Sequence, residues 1–261
     1  WLDEPRFQKL LDRRVQLARQ HFGTTHPVVI ESVILNAWSS IYTQDYATAD
    51  RLLGDAERLI LEGGHEGSLL RAQWWLARAE ALIPRDPQAR LEALGQAVNF
   101  YARLAPADAN YAIALANLAV ANLARENYAE ARARTEAAIE VFTHSKNRSD
   151  LDLAATYANL GRSLQNLGEP DKAERAFEQA ASLARRTVGE QHGALWLPMA
   201  EHARLVHMRG ERERAHRLFA AVFALMTADW VATTVPFVIR EYYAERLIAE
   251  GRAAEAVPEA G

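Results

Sequence analysis

One alanine recurs along this chain at a nearly constant spacing, and that recurrence leaves few architectures open. Ala131, Ala173, Ala215 and Ala256 stand 42, 42 and 41 residues apart, and Ala49 stands 82 residues before Ala131, twice 41. The flanking residues repeat with them. Gln44-Asp45-Tyr46-Ala47-Thr48-Ala49 matches Glu126-Asn127-Tyr128-Ala129-Glu130-Ala131. Gly168-Glu169-Pro170-Asp171-Lys172-Ala173 matches Gly210-Glu211-Arg212-Glu213-Arg214-Ala215 and then Gly251-Arg252-Ala253-Ala254-Glu255-Ala256. A fixed period of this length marks a stack of small units, each too small to bury its apolar surface alone. The double gap calls for one more unit, Ser68 to Leu104, with Pro84-Arg85-Asp86-Pro87 at its inner turn.

Each unit reads as two helices. In Leu153 to Arg186, the residues Leu153, Tyr157, Leu160 and Leu164 recur at helical spacing, so the first helix has one apolar face. Gly168 ends it, because glycine accepts the left-handed conformation of a C-terminal cap. Pro170 suits the first turn of the next helix. That second helix carries Ala173, Ala176, Phe177, Ala180 and Leu183 on one stripe, with Glu174, Arg175, Glu178 and Gln179 expected on the opposite, solvated side. Gly161 and Ala173 let the two backbones approach, and Phe177 fills the space beside them. Ala119 with Ala131, and Ala203 with Ala215, repeat the device. The expected units are 27–67, 68–108, 109–150, 151–193 and 194–234, with partial units at 1–26 and 235–261, all in a single domain.

The pattern Tyr157, Leu160-Gly161, Leu164, Ala173, Phe177, Ala180 resembles the tetratricopeptide repeat. The unit at Met199, Ala203, Val206, Ala215, Phe219 and Val222 is looser, and Thr135 replaces the aromatic in the unit of Leu115, Leu118-Ala119, Ala131 and Ala138. The long period resembles the kinesin-light-chain type, whose units join through a Gly-x-x-His-Pro turn. Gly23-Thr24-Thr25-His26-Pro27 matches that turn in full, and Gly189-Glu190-Gln191-His192-Gly193 lacks only the proline. The resemblance implies an all-α, right-handed superhelical solenoid of antiparallel helix pairs, about five full repeats with partial ones at both ends. Such arrays occur in bacterial serine/threonine kinases and transcriptional regulators. Asp3 to His21 reads as a second helix without its first, and the chain does not begin with Met, so an effector domain or a further repeat is expected before Trp1.

Composition narrows the function. The chain is 49% hydrophobic and 25% charged, which is globular, and its net charge of −4 sets up no field that would gather nucleic acid. Its basic clusters, Arg13-Arg14, Arg185-Arg186 and Arg209 to Arg217, carry no interleaved stacking aromatics. Without cysteine there is neither disulfide nor thiolate metal site. His202 and His207 are five apart, so they diverge on a helix instead of pairing at the four-residue spacing of a helical zinc site. No nucleophile elbow, kinase motif or phosphate loop is present. Gly63-Gly64-His65-Glu66-Gly67 has neither the Lys-Ser/Thr ending nor a preceding strand, and reads as a turn between repeats. The expectation is therefore a cytoplasmic non-enzyme with no cofactor, no metal, no nucleic acid and no membrane partner. It would act as a scaffold for a protein or peptide, with self-association as part of a larger signalling protein, a homo-oligomer, as the second reading.

The resemblance also implies where a partner would sit. The first helix of each repeat lines the concave groove, and Asn117 and Asn159 hold the same slot, two residues before Ala119 and Gly161. In peptide-binding members an asparagine there contacts the ligand backbone, since one amide both donates and accepts. The other reading of the pair is a bond to the neighbouring helix. In the same register Arg162, Asn166, Glu201, Arg204, His207 and Trp38 face the groove, although core packing is the stronger reading for Trp38. Trp74-Trp75 suggest one ring packed between repeats and one exposed.

Overall fold

The computed structural model describes residues 4–83, 85–189, 192, 195–225, 248–249 and 251–252. Among them are eleven α-helices and no strand: α1 (Glu4–Phe22), α2 (Pro27–Tyr42), α3 (Tyr46–Glu62), α4 (Leu69–Ala81), α5 (Pro87–Leu104), α6 (Ala109–Ala124), α7 (Tyr128–His144), α8 (Asp150–Asn166), α9 (Pro170–Val188), α10 (Trp196–Met208) and α11 (Arg212–Ala224). The repeat segment at Gly251 falls largely outside the described residues. No described helix is long and apolar enough to cross a membrane.

The chain forms two compact units, Trp1–Arg148 and Ser149–Gly261. In the first, α2 pairs with α3, α4 with α5 and α6 with α7. Each second helix also packs on the next first helix, as α1 does on α2. In the second, α8 pairs with α9, α10 with α11, and α9 packs on α10. First helices touch one another too, α2 with α4 and α8 with α10, so they form a layer of their own within each unit.

The small residues account for the pairing. Ala37, Ala77, Ala119 and Ala203 are all fully buried on first helices, and Gly161 is buried in the same register. Ala49, Ala131, Ala173 and Ala215 are equally buried on second helices. At Gly161 the fit is tightest: a methyl group added there would lie 2.5 Å from the Phe177 ring. Ala203, Ala215 and Phe219 meet in one cluster. Thr135, in the aromatic slot of α7, is fully buried, and its hydroxyl donates to the Ala131 carbonyl (2.6 Å).

Four of the turns inside repeats share one geometry. Asp45, Asn127, Glu169 and Glu211 each donate a backbone N–H to the carbonyl five residues back, on Ser40, Asn122, Leu164 and Val206. This six-to-one bond requires a left-handed residue just before the donor. Gly168 and Gly210 supply it, whereas Gln44 and Glu126 adopt φ 61° without that freedom. The α4–α5 turn differs, with Asp86 capping α5 through Gln88 N (3.1 Å) and Ala89 N (2.9 Å) ahead of Pro87.

The turns between repeats are also built from their motifs. His26 caps α2, its Nδ1 accepting from Val28 N at 3.3 Å, and Pro27 opens the helix. The glycine-rich stretch at 63–67 is a turn between α3 and α4, in which His65 Nε2 lies 3.2 Å from the Thr25 carbonyl oxygen.

Candidate interaction surface

The slot two residues before the buried small residue holds Leu35, Trp75 and Asn117 in the first unit, and Asn159 and Glu201 in the second. The two asparagines have different surroundings. Asn117 donates through Nδ2 to Glu80 Oε1 of α4 at 2.7 Å, so it ties α6 to the preceding first helix. Glu80 lies 3.9 Å from Arg90 of α5 and is largely buried. Burial pushes its carboxyl above the ordinary range, and the Arg90 charge opposes that without cancelling it. Asn159 is half-buried, and its amide makes no hydrogen bond among the described residues.

In the second unit, five side chains join along α8 and α10. Arg204 donates to Glu201 (2.8 and 3.0 Å) and to Gln165 Oε1 (3.0 Å). Arg162 lies 3.9 Å from Glu201, and Gln165 Nε2 is 3.2 Å from the Met208 sulfur. Asn166 is exposed and bonds the Arg162 carbonyl (2.8 Å), and His207 is half-exposed one turn beyond Arg204. The result is a half-exposed strip of guanidinium, amide and carboxylate groups on the layer of first helices.

Trp38 belongs to the first unit. It packs against the core cluster of α1–α4, with its ring centroid 5.9 Å from that of Tyr42. Trp74 is buried and donates to the Leu53 carbonyl (2.8 Å). Its neighbour Trp75 is half-buried on the same cluster, with the Arg71 guanidinium 5.1 Å from its ring.

Two further polar assemblies have no clear signal in the sequence. A cleft of about 440 Å³ opens in the first unit, lined by Gln8, Asp12, Asn36, Ser39, Thr43 and Arg51 among others. Much of its polarity is spent internally: Asn36 accepts from Gln8 (2.5 Å) and donates to Asp12 (2.8 Å). In the second unit, Glu174 is not on a solvated side as its spacing predicts. It lies largely buried at the α9–α10 contact, where His202 Nε2 (3.2 Å), Arg209 (2.8 Å) and Arg214 all reach it. Burial pushes Glu174 up, but hydrogen bonds from Arg214 and His202 outweigh it and hold the carboxyl below the ordinary range. Oxygens of Glu174 and Glu178 and a ring nitrogen of His202 lie within 4.8 Å of one another. A cation there would have to displace guanidinium groups already paired with Glu174.

Comparison with known proteins agrees with this geometry. The tetratricopeptide repeat model matches residues 153–194. No curated protein matches the chain in sequence. Among solved structures, the chain resembles a putative kinesin light chain from Podosopora anserina with nearly identical TPR-like repeats, at 21% identity over 77% of this chain and 96% of that one, with a TM-score of 0.62. It also resembles BtubC (BKLC) from P. vanneervenii, at 17% identity over 86% and 91%, with a TM-score of 0.70. A Rap protein complexed with Competence and Sporulation Factor aligns at 14% identity over 95% of this chain and 72% of its own, with a TM-score of 0.70. At these identities the likeness is one of fold.

Proposed function

Because the chain is built of tetratricopeptide repeats, a fold that generally mediates protein–protein interaction, we propose that it is a non-catalytic scaffold holding a peptide or a helix of a partner protein against its first helices. The observation that carries this reading is the strip on α8 and α10. Asn159 offers an amide with donor and acceptor both unused, and Arg162, Gln165, Glu201 and Arg204 hold fixed polar groups at half-exposed positions beside it. An extended peptide needs such alternating donors and acceptors along its backbone. Asn166 and His207 extend the same strip, whereas Trp38 belongs to a separate apolar margin beside Tyr42. A Rap protein of similar fold carries Competence and Sporulation Factor, a precedent for a ligand held on this fold.

The test is affinity capture from a lysate with the unaltered chain and with the double variant Asn159→Ala/Arg204→Ala, both checked for unchanged helical signal and melting temperature. A protein retained by the first and lost by the second is the expected result. Equal retention by both would move the interface off this strip. Asn117→Ala is a poor variant for this purpose, since it removes a structural bond to Glu80.

A further inference from the structure

Two successive steps of the first unit, α1–α2–α3 and α3–α4–α5, carry the same polar contact, but only one of them fills the space beside it. Gln8 and Asp50 stand 42 residues apart on α1 and α3, and Asn36 and Arg78 stand 42 apart on α2 and α4, as do the capping residues His26 and Ser68. Each pair is joined: Asn36 accepts from Gln8 at 2.5 Å, and Asp50 accepts from Arg78 at 2.7 Å. Beside them stand Thr43 and Arg85, again 42 apart. Thr43 Oγ1 donates to the Ser39 carbonyl (3.2 Å), and Arg85 Nε donates to the matching Ala81 carbonyl (3.1 Å). The Arg85 guanidinium then continues to Asp50 (2.6 and 3.1 Å) and lies 5.4 Å from the Tyr46 ring centroid. A threonine stops where this arginine goes on. In its step lies the cleft of about 440 Å³, bordered by Gln8, Asn36, Ser39 and Thr43. The room therefore comes from the exchange of arginine for threonine between two steps of the array.

The rest of the lining selects the occupant. Asp12 and Asp45 bring two carboxylates, and neither makes an ion pair among the described residues. Asp12 accepts from the Asn36 amide (2.8 Å), and Asp45 caps α3 through Thr48 N (3.1 Å), so both are held by neutral donors. The matching position for Asp12 in the next step is Gly54, so this charge is an addition. Arg51 is the cation of the lining, and it lies 3.9 Å from Asp55, one turn along α3. Two carboxylates against one guanidinium leave the cleft net negative. An anionic ligand would be repelled by Asp12 and Asp45, and an apolar one would strip water from them without replacing it. A guanidinium offers several N–H donors in one plane and pairs with a carboxylate through two parallel bonds. The volume lies within the roughly 300–1,000 Å³ of small-ligand sites, enough for such a group with its alkyl stem.

We propose that this cleft binds a guanidinium group, that of an arginine, with Asp12 and Asp45 as its counter-charges, in the place that Arg85 takes in the next step. This site does not depend on the strip of α8 and α10.

The experiment follows the side-chain amide signals of Gln8 and Asn36 by NMR in the full chain. The probes are N-acetyl-arginine methylamide, which stands for an arginine within a protein, free L-arginine, and N-acetyl-citrulline methylamide, which keeps the shape without the charge. Saturable shifts with an arginine compound are expected, and affinity at least tenfold weaker for the citrulline compound. Binding of the blocked arginine would assign the cleft to a protein side chain, and binding of free arginine alone to a small molecule; either upholds the proposal. Asp12→Asn should weaken binding at least tenfold. Gln8→Asp with Thr43→Arg rebuilds the pairing of the next step and should abolish binding with the helical signal unchanged. If that double variant is unstable, Asp12→Asn decides alone, since its position is exposed. No shift at millimolar probe, equal affinity for the citrulline compound, or binding that Asp12→Asn leaves unchanged would overturn the proposal.

Discussion

At the scale of single residues, the fold turns on how much space a side chain occupies and on which backbone angles it tolerates. Gly161 is the clearest case. Its missing methyl group is where the Phe177 ring sits, 2.5 Å from an ideal Cβ. Gly161→Ala is expected to cost about 1–3 kcal/mol through overpacking, read as a lower urea midpoint, and Phe177→Leu in the same chain should recover part of the loss. A loss below measurement would mean that α8 and α9 can separate freely. Glu126 and Gln44 have the opposite problem, at a left-handed position where Gly168 and Gly210 serve the equivalent turns. Left-handed backbone costs an ordinary residue roughly 1–2 kcal/mol, and glycine returns part of that through its greater entropy loss. Glu126→Gly should therefore stabilise by about 0.5–1 kcal/mol, and a destabilised variant would show that its side chain does more than fill the turn.

At the scale of helices, polar ties decide which neighbours are joined. Asn117, Glu80 and Arg90 link α6, α4 and α5 through groups mostly withdrawn from water. Asn117→Ala should cost about 1–3 kcal/mol, because Glu80 would lose a buried donor. Glu80 also sets a pH dependence. Its folded-state pKa is raised above the ordinary 4.5, so its contribution is fully present below that value and is lost as pH rises through the higher folded one. Glu80→Gln should thus gain stability relative to the unaltered chain as pH climbs above about 4.5, seen in denaturation midpoints taken at several pH values. A constant or shrinking difference would contradict the assignment. Asp50 runs the other way: the Arg85 hydrogen bond and the Arg78 and Arg85 charges outweigh burial and hold it below 3.8, so its stabilisation is lost as pH falls through that lowered value. Measurements on the Glu80 variant should therefore be read as differences, in which Asp50 cancels.

At the scale of the whole molecule, the substantial helix contacts join neighbours or next neighbours along the chain. Stability in such an array is close to a sum of local terms. Gly161→Ala should accordingly speed hydrogen exchange in α8 and α9 and leave the protection of α2 and α3 unchanged. Loss of protection across all helices would instead indicate one cooperative unit. The same locality means that a change on one face need not rearrange the rest. The hydroxyls of Ser32, Thr135, Thr156 and Ser163 are turned back onto carbonyls of their own helix.

The period, the helix pairs and the turn positions were legible in the amino-acid order because they depend on residues close together in the chain. An apolar residue every three or four places makes a face, a glycine or a left-handed stand-in ends it, and an alanine every 42 residues marks where two helices meet. Even the weak unit at 68–104 announced its turn by its prolines. Neighbours across helices were a different matter. Asn117 and Asn159 are identical in sequence register, and only the tertiary structure set Glu80 against the first and left the second amide unused. Trp74 and Trp75 are adjacent, yet only packing showed that the first reaches the Leu53 carbonyl while the second stays half-buried beneath Arg71. Glu174 reads as solvated until His202, Arg209 and Arg214 are brought to it from the next repeat. A helix's own sequence specifies which face it buries; which polar atom meets which across that face depends on the side chains the neighbouring helix brings, and folding alone places them.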